Sequence, residues 1–235
     1  AKEQLDYLKT VNEVEPVDFV AAYAFAAVPA RYVLENRLWK QAALLETFPK
    51  NFAWQKFPWQ CAITHFARLL GAVHISQLDS ARKELNVLNQ LRSQLLDQKD
   101  KYKANQVNIQ IKMSEAWLFW KEGKFKEALD TMNLAADMED KTEKHPVTPA
   151  EVLPARELLA DLLMEMHEPD KALELYEADL KKHPNRLNGL YGAGMAAKLS
   201  GRKDLAANYF KRLTNVTKGN ISERPDLASD MVLKK

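Results

Sequence analysis

The feature that most constrains this chain is a 34-residue offset near its C-terminus. Sliding the sequence by that amount places Ala160 on Gly194, Asp170 on Asp204, Ala172 on Ala206 and Tyr176 on Phe210. One copy reads Arg156, Leu159-Ala160, Leu163, then Ala172 and Tyr176, and closes at Pro184. The next reads Leu190, Ala193-Gly194, Ala197, then Ala206 and Phe210. Small residues held at fixed places in two successive apolar helices mark the points where those helices touch closely. An internal repeat of this length predicts a stack of helix–turn–helix units.

The small residue of the second helix can be followed backwards. Lys171-Ala172-Leu173 is echoed by Glu127-Ala128-Leu129, Ser80-Ala81-Arg82 and Gln41-Ala42-Ala43. The markers Ala42, Ala81, Ala128, Ala172 and Ala206 are spaced by 39, 47, 44 and 34 residues, so the earlier units carry longer helices or insertions. Gly is scarce at 7 of 235 residues, while Ala, Leu, Lys and Glu abound, and this composition favours helix. No stretch alternates with period two, so no sheet is expected.

These features resemble the tetratricopeptide (TPR) repeat. Further segments resemble the C-terminal part of large, uncharacterised bacterial TPR-repeat proteins. They are Ala22-Tyr23-Ala24-Phe25-Ala26-Ala27-Val28-Pro29-Ala30-Arg31-Tyr32, Ile63-Thr64-His65-Phe66-Ala67-Arg68, and Glu143-Lys144-His145-Pro146-Val147-Thr148-Pro149 with the nearby run from Leu153 to Leu159. The resemblance implies an all-α, right-handed α-solenoid of TPR-like repeats and a bacterial source, but no catalytic residue. The units are expected around residues 1–12 (partial), 16–48, 58–97, 101–139, 149–183 and 185–218. Together they form a solenoid over 1–218, with a polar tail over 219–235.

Helix ends are expected at particular residues. Thr148-Pro149-Ala150-Glu151 reads as a capping box opening a helix. Pro58 and Pro169 suit first helical positions, and Asn185 suits an N-cap. Gly201 marks a turn, and Pro29 predicts a kink or break near Val28. The aromatic stretch from Pro49 to Pro58 is expected to fold back over the edge of the first unit.

Composition narrows the function classes. Apolar residues make up 46% and charged residues 28%, ordinary for a globular chain. The net charge of +2 argues against broad electrostatic binding of nucleic acid. No apolar run is long enough to span a membrane, so no membrane insertion is expected. The sequence starts without Met or a signal peptide, as a piece of a longer protein would. The single cysteine, Cys61, excludes an intramolecular disulfide and leaves the compartment open, cytoplasmic or exported.

The candidate partner-binding residues lie on the first helices of two units. Met113, Trp117 and Trp120 form an aromatic stripe, and Glu157, Asp161 and Glu165 form an acidic ridge at four-residue spacing. The same residues also suit packing and a solvated helix face. Phe66, Leu70 and Val73 continue an apolar strip in the second unit. Cys61 and His65 have a spacing that can serve a metal, but two ligands make a poor site, so no metal and no cofactor are expected. His145 and His183 read as turn residues. No phosphate loop or nucleophile elbow occurs, so no catalytic residue is assigned.

The expected function is therefore non-catalytic: binding of a protein or peptide, or support for a region upstream. Two other readings are a scaffold segment of a larger metal-binding or hydrolytic enzyme, and a small-ligand or signal-peptide sensor.

Overall fold

The computed structural model describes residues 2–144 and 151–217. Every regular element among them is helical: α1 (Lys2–Thr10), α2 (Phe19–Glu35), α3 (Trp39–Ala43), α4 (Pro58–His74), α5 (Leu78–Asp97), α6 (Lys101–Lys121), α7 (Phe125–Asp140), α8 (Ala155–Glu165), α9 (Pro169–Lys182), α10 (Leu187–Leu199) and α11 (Lys203–Thr217), with a 3-10 turn at Trp54–Lys56. The chain divides into two compact units, Ala1–Val152 and Leu153–Lys235. In the first, α2 packs on α4 and α4 on α6, with α3, α5 and α7 each against the helix before it in its pair. In the second, α8 packs on α9, and α10 on both α9 and α11.

One turn builds every pair. In each, a residue with positive φ comes after the first helix: Arg37 (49°), Ser76 (62°), Gly123 (76°), His167 (59°) and Gly201 (74°). The next residue then donates its N–H back to a carbonyl of the last helical turn. These bonds are Leu38 to Val33 (2.9 Å), Gln77 to Ala72 (2.8 Å), Lys124 to Phe119 (2.9 Å), Glu168 to Leu163 (2.9 Å) and Arg202 to Ala197 (2.8 Å). This is the Schellman closure, which satisfies carbonyls that a helix end leaves without partners. The second helix begins at once. Five residues past each positive-φ residue stands Ala42, Ala81, Ala128, Ala172 or Ala206, all buried, the first four fully. The same turn also joins α5 to α6: Lys99 has a φ of 60°, Asp100 donates to the Leu95 carbonyl at 2.9 Å, and Ala104, five residues past Lys99, is buried.

The small residues serve close approach. A Cβ on Gly194 would lie 2.6 Å from the Phe210 ring, and one on Gly192 2.3 Å from the Tyr176 ring. At Gly71 the obstacle is backbone: the Ala43 nitrogen at 2.3 Å and the Trp39 carbonyl oxygen at 2.6 Å. Helices α3 and α4 therefore touch main chain to main chain.

Pro58 and Pro169 open α4 and α9 as expected. Three other expectations give way. Pro29 does not break helix α2, which runs from Phe19 to Glu35 with Pro29 and its neighbours Ala26, Ala27 and Ala30 buried; burial of this face outweighs the missing N–H. Of the expected capping box, Thr148, Pro149 and Ala150 lie outside the described residues. Glu151 is not helical, and α8 starts only at Ala155 behind Pro154. Arg31 holds the Glu151 carbonyl at 2.5 Å, and Pro154 disfavours helical backbone at Leu153. Asn185 has a φ of 67° and sits in the turn, so Arg186 takes the N-cap position of α10.

Candidate binding sites

The acidic ridge and the aromatic stripe fall in different units and have different surroundings. Glu157 is 1% exposed, and its carboxylate accepts two hydrogen bonds from the Arg186 guanidinium, at 2.9 and 3.0 Å. Asp161 is partly buried and accepts a hydrogen bond from the Tyr176 hydroxyl. Glu165 alone of the three is exposed. The four-residue spacing therefore runs from the interior of the unit to its surface.

Met113 and Trp117 are 2% and 3% exposed. The Trp117 ring packs on His74 at 4.7 Å between centroids, and His74 stacks on Trp39 at 3.8 Å and 14°. The three rings tie α6, α4 and α3 together. Trp120 is partly exposed and meets Phe125, itself 56% exposed, at 4.8 Å. Met113, Trp117 and Glu157 are thus packing residues here, whereas Trp120, Asp161 and Glu165 reach the surface. Phe66, Leu70 and Val73 are fully buried core.

Cys61 donates to the Trp54 carbonyl at 3.3 Å, and burial pushes its thiol up to about 11, so it stays protonated and poorly nucleophilic at neutral pH. His65 pairs instead with Glu84 at 2.5 Å. Among the described residues no three His, Cys, Asp or Glu side chains are grouped to hold a metal ion. His183 contacts Asp179 at 2.9 Å, closing the end of α9. His145 lies outside the described residues. No helix of the described residues is long and apolar enough to cross a membrane.

One concavity lies beside the short helix α3. Helix α3 ends at Ala43 after five residues, and the chain from Leu44 to Phe57 runs as loop and 3-10 turn. A cavity of about 880 Å³ opens beside it. Leu5 of α1, Val33 of α2 and Leu45, Phe48 and Pro49 of the loop give it an apolar lining, while Lys9, Lys40 and Lys50 stand around it with Glu46. The loop is tied down from behind. Arg68 donates to the Leu45 carbonyl at 2.5 Å, Trp54 to the Pro49 carbonyl at 3.0 Å, and Phe25 meets Phe48 edge-on at 6.3 Å and Phe52 at 6.2 Å. The aromatic stretch thus folds back onto the first pair.

Sequence reasoning missed this cavity because its lining comes from four separate segments with no shared motif. The one signal was the long interval between α3 and Pro58. Compared with family models, with curated proteins and with solved structures, the chain finds no match.

Proposed function

We propose that this chain is a non-catalytic binding scaffold of the TPR kind, which engages a polypeptide or supports further parts of its own protein. The observation that supports this reading is one turn that recurs inside five helical pairs and once more between α5 and α6, each time with a buried alanine five residues beyond its positive-φ residue. Repeats of this design spend their small residues on helix contact and leave the outer side chains free to vary with the partner. Trp120 with Phe125 offers an aromatic contact of the sort that dominates binding energy.

Panning the purified chain against a displayed random-peptide library tests the reading. Enriched peptides, resynthesised and titrated, are expected to bind saturably, and Trp120→Ala to weaken some of them. A library that yields no saturable binder, together with turnover of a substrate by the purified chain, would replace the scaffold by an enzyme.

A further inference from the structure

We propose that the cavity beside α3 binds a small organic anion, an apolar body ending in a carboxylate or similar group. This goes beyond the polypeptide-binding reading and does not depend on it.

Size comes first. About 880 Å³ falls in the range of pockets that enclose a small molecule, roughly 300–1,000 Å³. The lining then divides by chemistry. Leu5 and Val33 are 6% and 3% exposed, so the inner surface is apolar and sheltered. At the outside Leu44 is 78% exposed, an apolar side chain in water that an apolar ligand would cover.

Charge sets the polarity of the ligand. Lys9 comes from α1, Lys40 from α3 and Lys50 from the loop, so three segments each bring a cation to one cavity. Against them stands a single acid, Glu46. None of the three lysines has an ion-pair partner among the described residues. Some cations of the first unit are paired, as Arg82 with Glu122, Lys103 with Asp100 and Lys112 with Glu115, while Lys56, Lys83 and Lys121 are not paired among the described residues; what sets the cavity apart is that three lysines converge on it. The excess positive charge at this cavity is therefore uncompensated by the described residues. Lysine's flexible stem suits an anion of undemanding geometry, where arginine would impose a planar fork.

The wall is also built in advance. Arg68 and Trp54 fix the loop through the Leu45 and Pro49 main-chain carbonyls, and Phe25 backs the Phe48 ring, which lines the cavity. Preformed walls reduce the ordering cost of binding.

Isothermal titration of the purified chain with dodecanoate, kept below its micelle concentration, tests the proposal. Dodecanol and dodecyltrimethylammonium supply the same tail with no charge and with the opposite charge. One-to-one saturable binding of dodecanoate is expected, weaker for dodecanol by on the order of tenfold. Lys40→Glu with Lys50→Glu should weaken dodecanoate at least as much and leave dodecanol unchanged. Leu44→Asp should weaken both tails; this side chain is exposed, so the fold tolerates the change. Equal affinity for all three tails, or full affinity in the double lysine variant, would overturn the proposal. So would an acidic peptide with one apolar anchor that binds this cavity while dodecanoate does not. Circular dichroism of each variant must match the parent, which separates lost binding from lost fold.

Discussion

The first helical pair and the last share one turn, but their second helices differ in length. After Gly201 comes α11, fifteen residues long, whose Phe210 lies against Gly194. After Arg37 comes α3, five residues long, and then a loop. The second unit buries the Glu157 carboxylate against Arg186. The first pair leaves Lys40 and Lys50 at the rim of a cavity. A turn closed by its own backbone bonds fixes how a second helix starts but not how long it runs. Shortening that helix exchanges packed surface for an opening.

The sharpest way to break this contrast is Arg186→Ala. It takes the Arg186 guanidinium away from the buried Glu157 carboxylate, expected to cost about 3–5 kcal/mol. Urea unfolding measures it; a loss below that range would mean that solvent reaches Glu157 and that the pair is no more internal than the rim lysines.

Gly71→Ala comes next. The new methyl meets main-chain atoms of α3, which cannot rotate away, and an overpacked contact costs typically about 1–3 kcal/mol. The variant should also lose dodecanoate binding, since α3 carries Lys40. A melting temperature equal to the parent's would contradict the main-chain contact.

Ala206→Leu tests the regular end of the chain. The alanine is 5% exposed, and overpacking there should cost about 1–3 kcal/mol. Thermal unfolding that leaves the midpoint unmoved would place the α10–α11 contact elsewhere.

Asp100→Ala removes the N-cap of α6, where the carboxylate accepts from the Lys103 N–H at 3.0 Å, and should cost about 1 kcal/mol. Partial burial pushes the Asp100 carboxyl up, but the hydrogen bonds and charge of Lys103 outweigh it and hold it below its usual value. A depressed carboxyl contributes stability that is fully present above the ordinary carboxylate range and lost as pH falls through the lower folded value. The cost of the substitution should therefore shrink in acid; a pH-independent difference in denaturant midpoint would remove Asp100 from the cap.

The smallest effect belongs to the rim. Lys40→Ala should change stability by less than about 0.5 kcal/mol, because an exposed lysine without a partner supports nothing. A larger loss would show that Lys40 holds the fold together, and the contrast with Arg186 would fail.

The parts of this fold that were legible in the sequence are those fixed locally. The five alanine markers are buried, and Gly123 and Gly201 announce their turns. Arg37, Ser76 and His167 hold the same turn without announcing it, because any residue can occupy the left-handed position when the closing bonds outweigh its modest cost. Asn185 misled for the same reason: it favours both a cap and the left-handed region. Glu157 looked like surface because four-residue spacing cannot show that Arg186 waits 29 residues away. Trp117 and Met113 fit a stripe whose covering neighbours no single helix reveals. The cavity was the least legible feature, since α1, α2, α3 and the loop each supply side chains that mean little alone.

The recurrent turn also bears on how the chain comes apart. Its closing bonds span five residues, so the turn itself needs no distant contact to form. Opening should be piecemeal, with pairs exchanging their amide hydrogens at separate rates. Helix α3 is far too short to persist by itself, so its protection is lent by α4 through the Gly71 contact. Its amides should be among the first to exchange, and a ligand seated beside it would be recorded there as slowed hydrogen exchange.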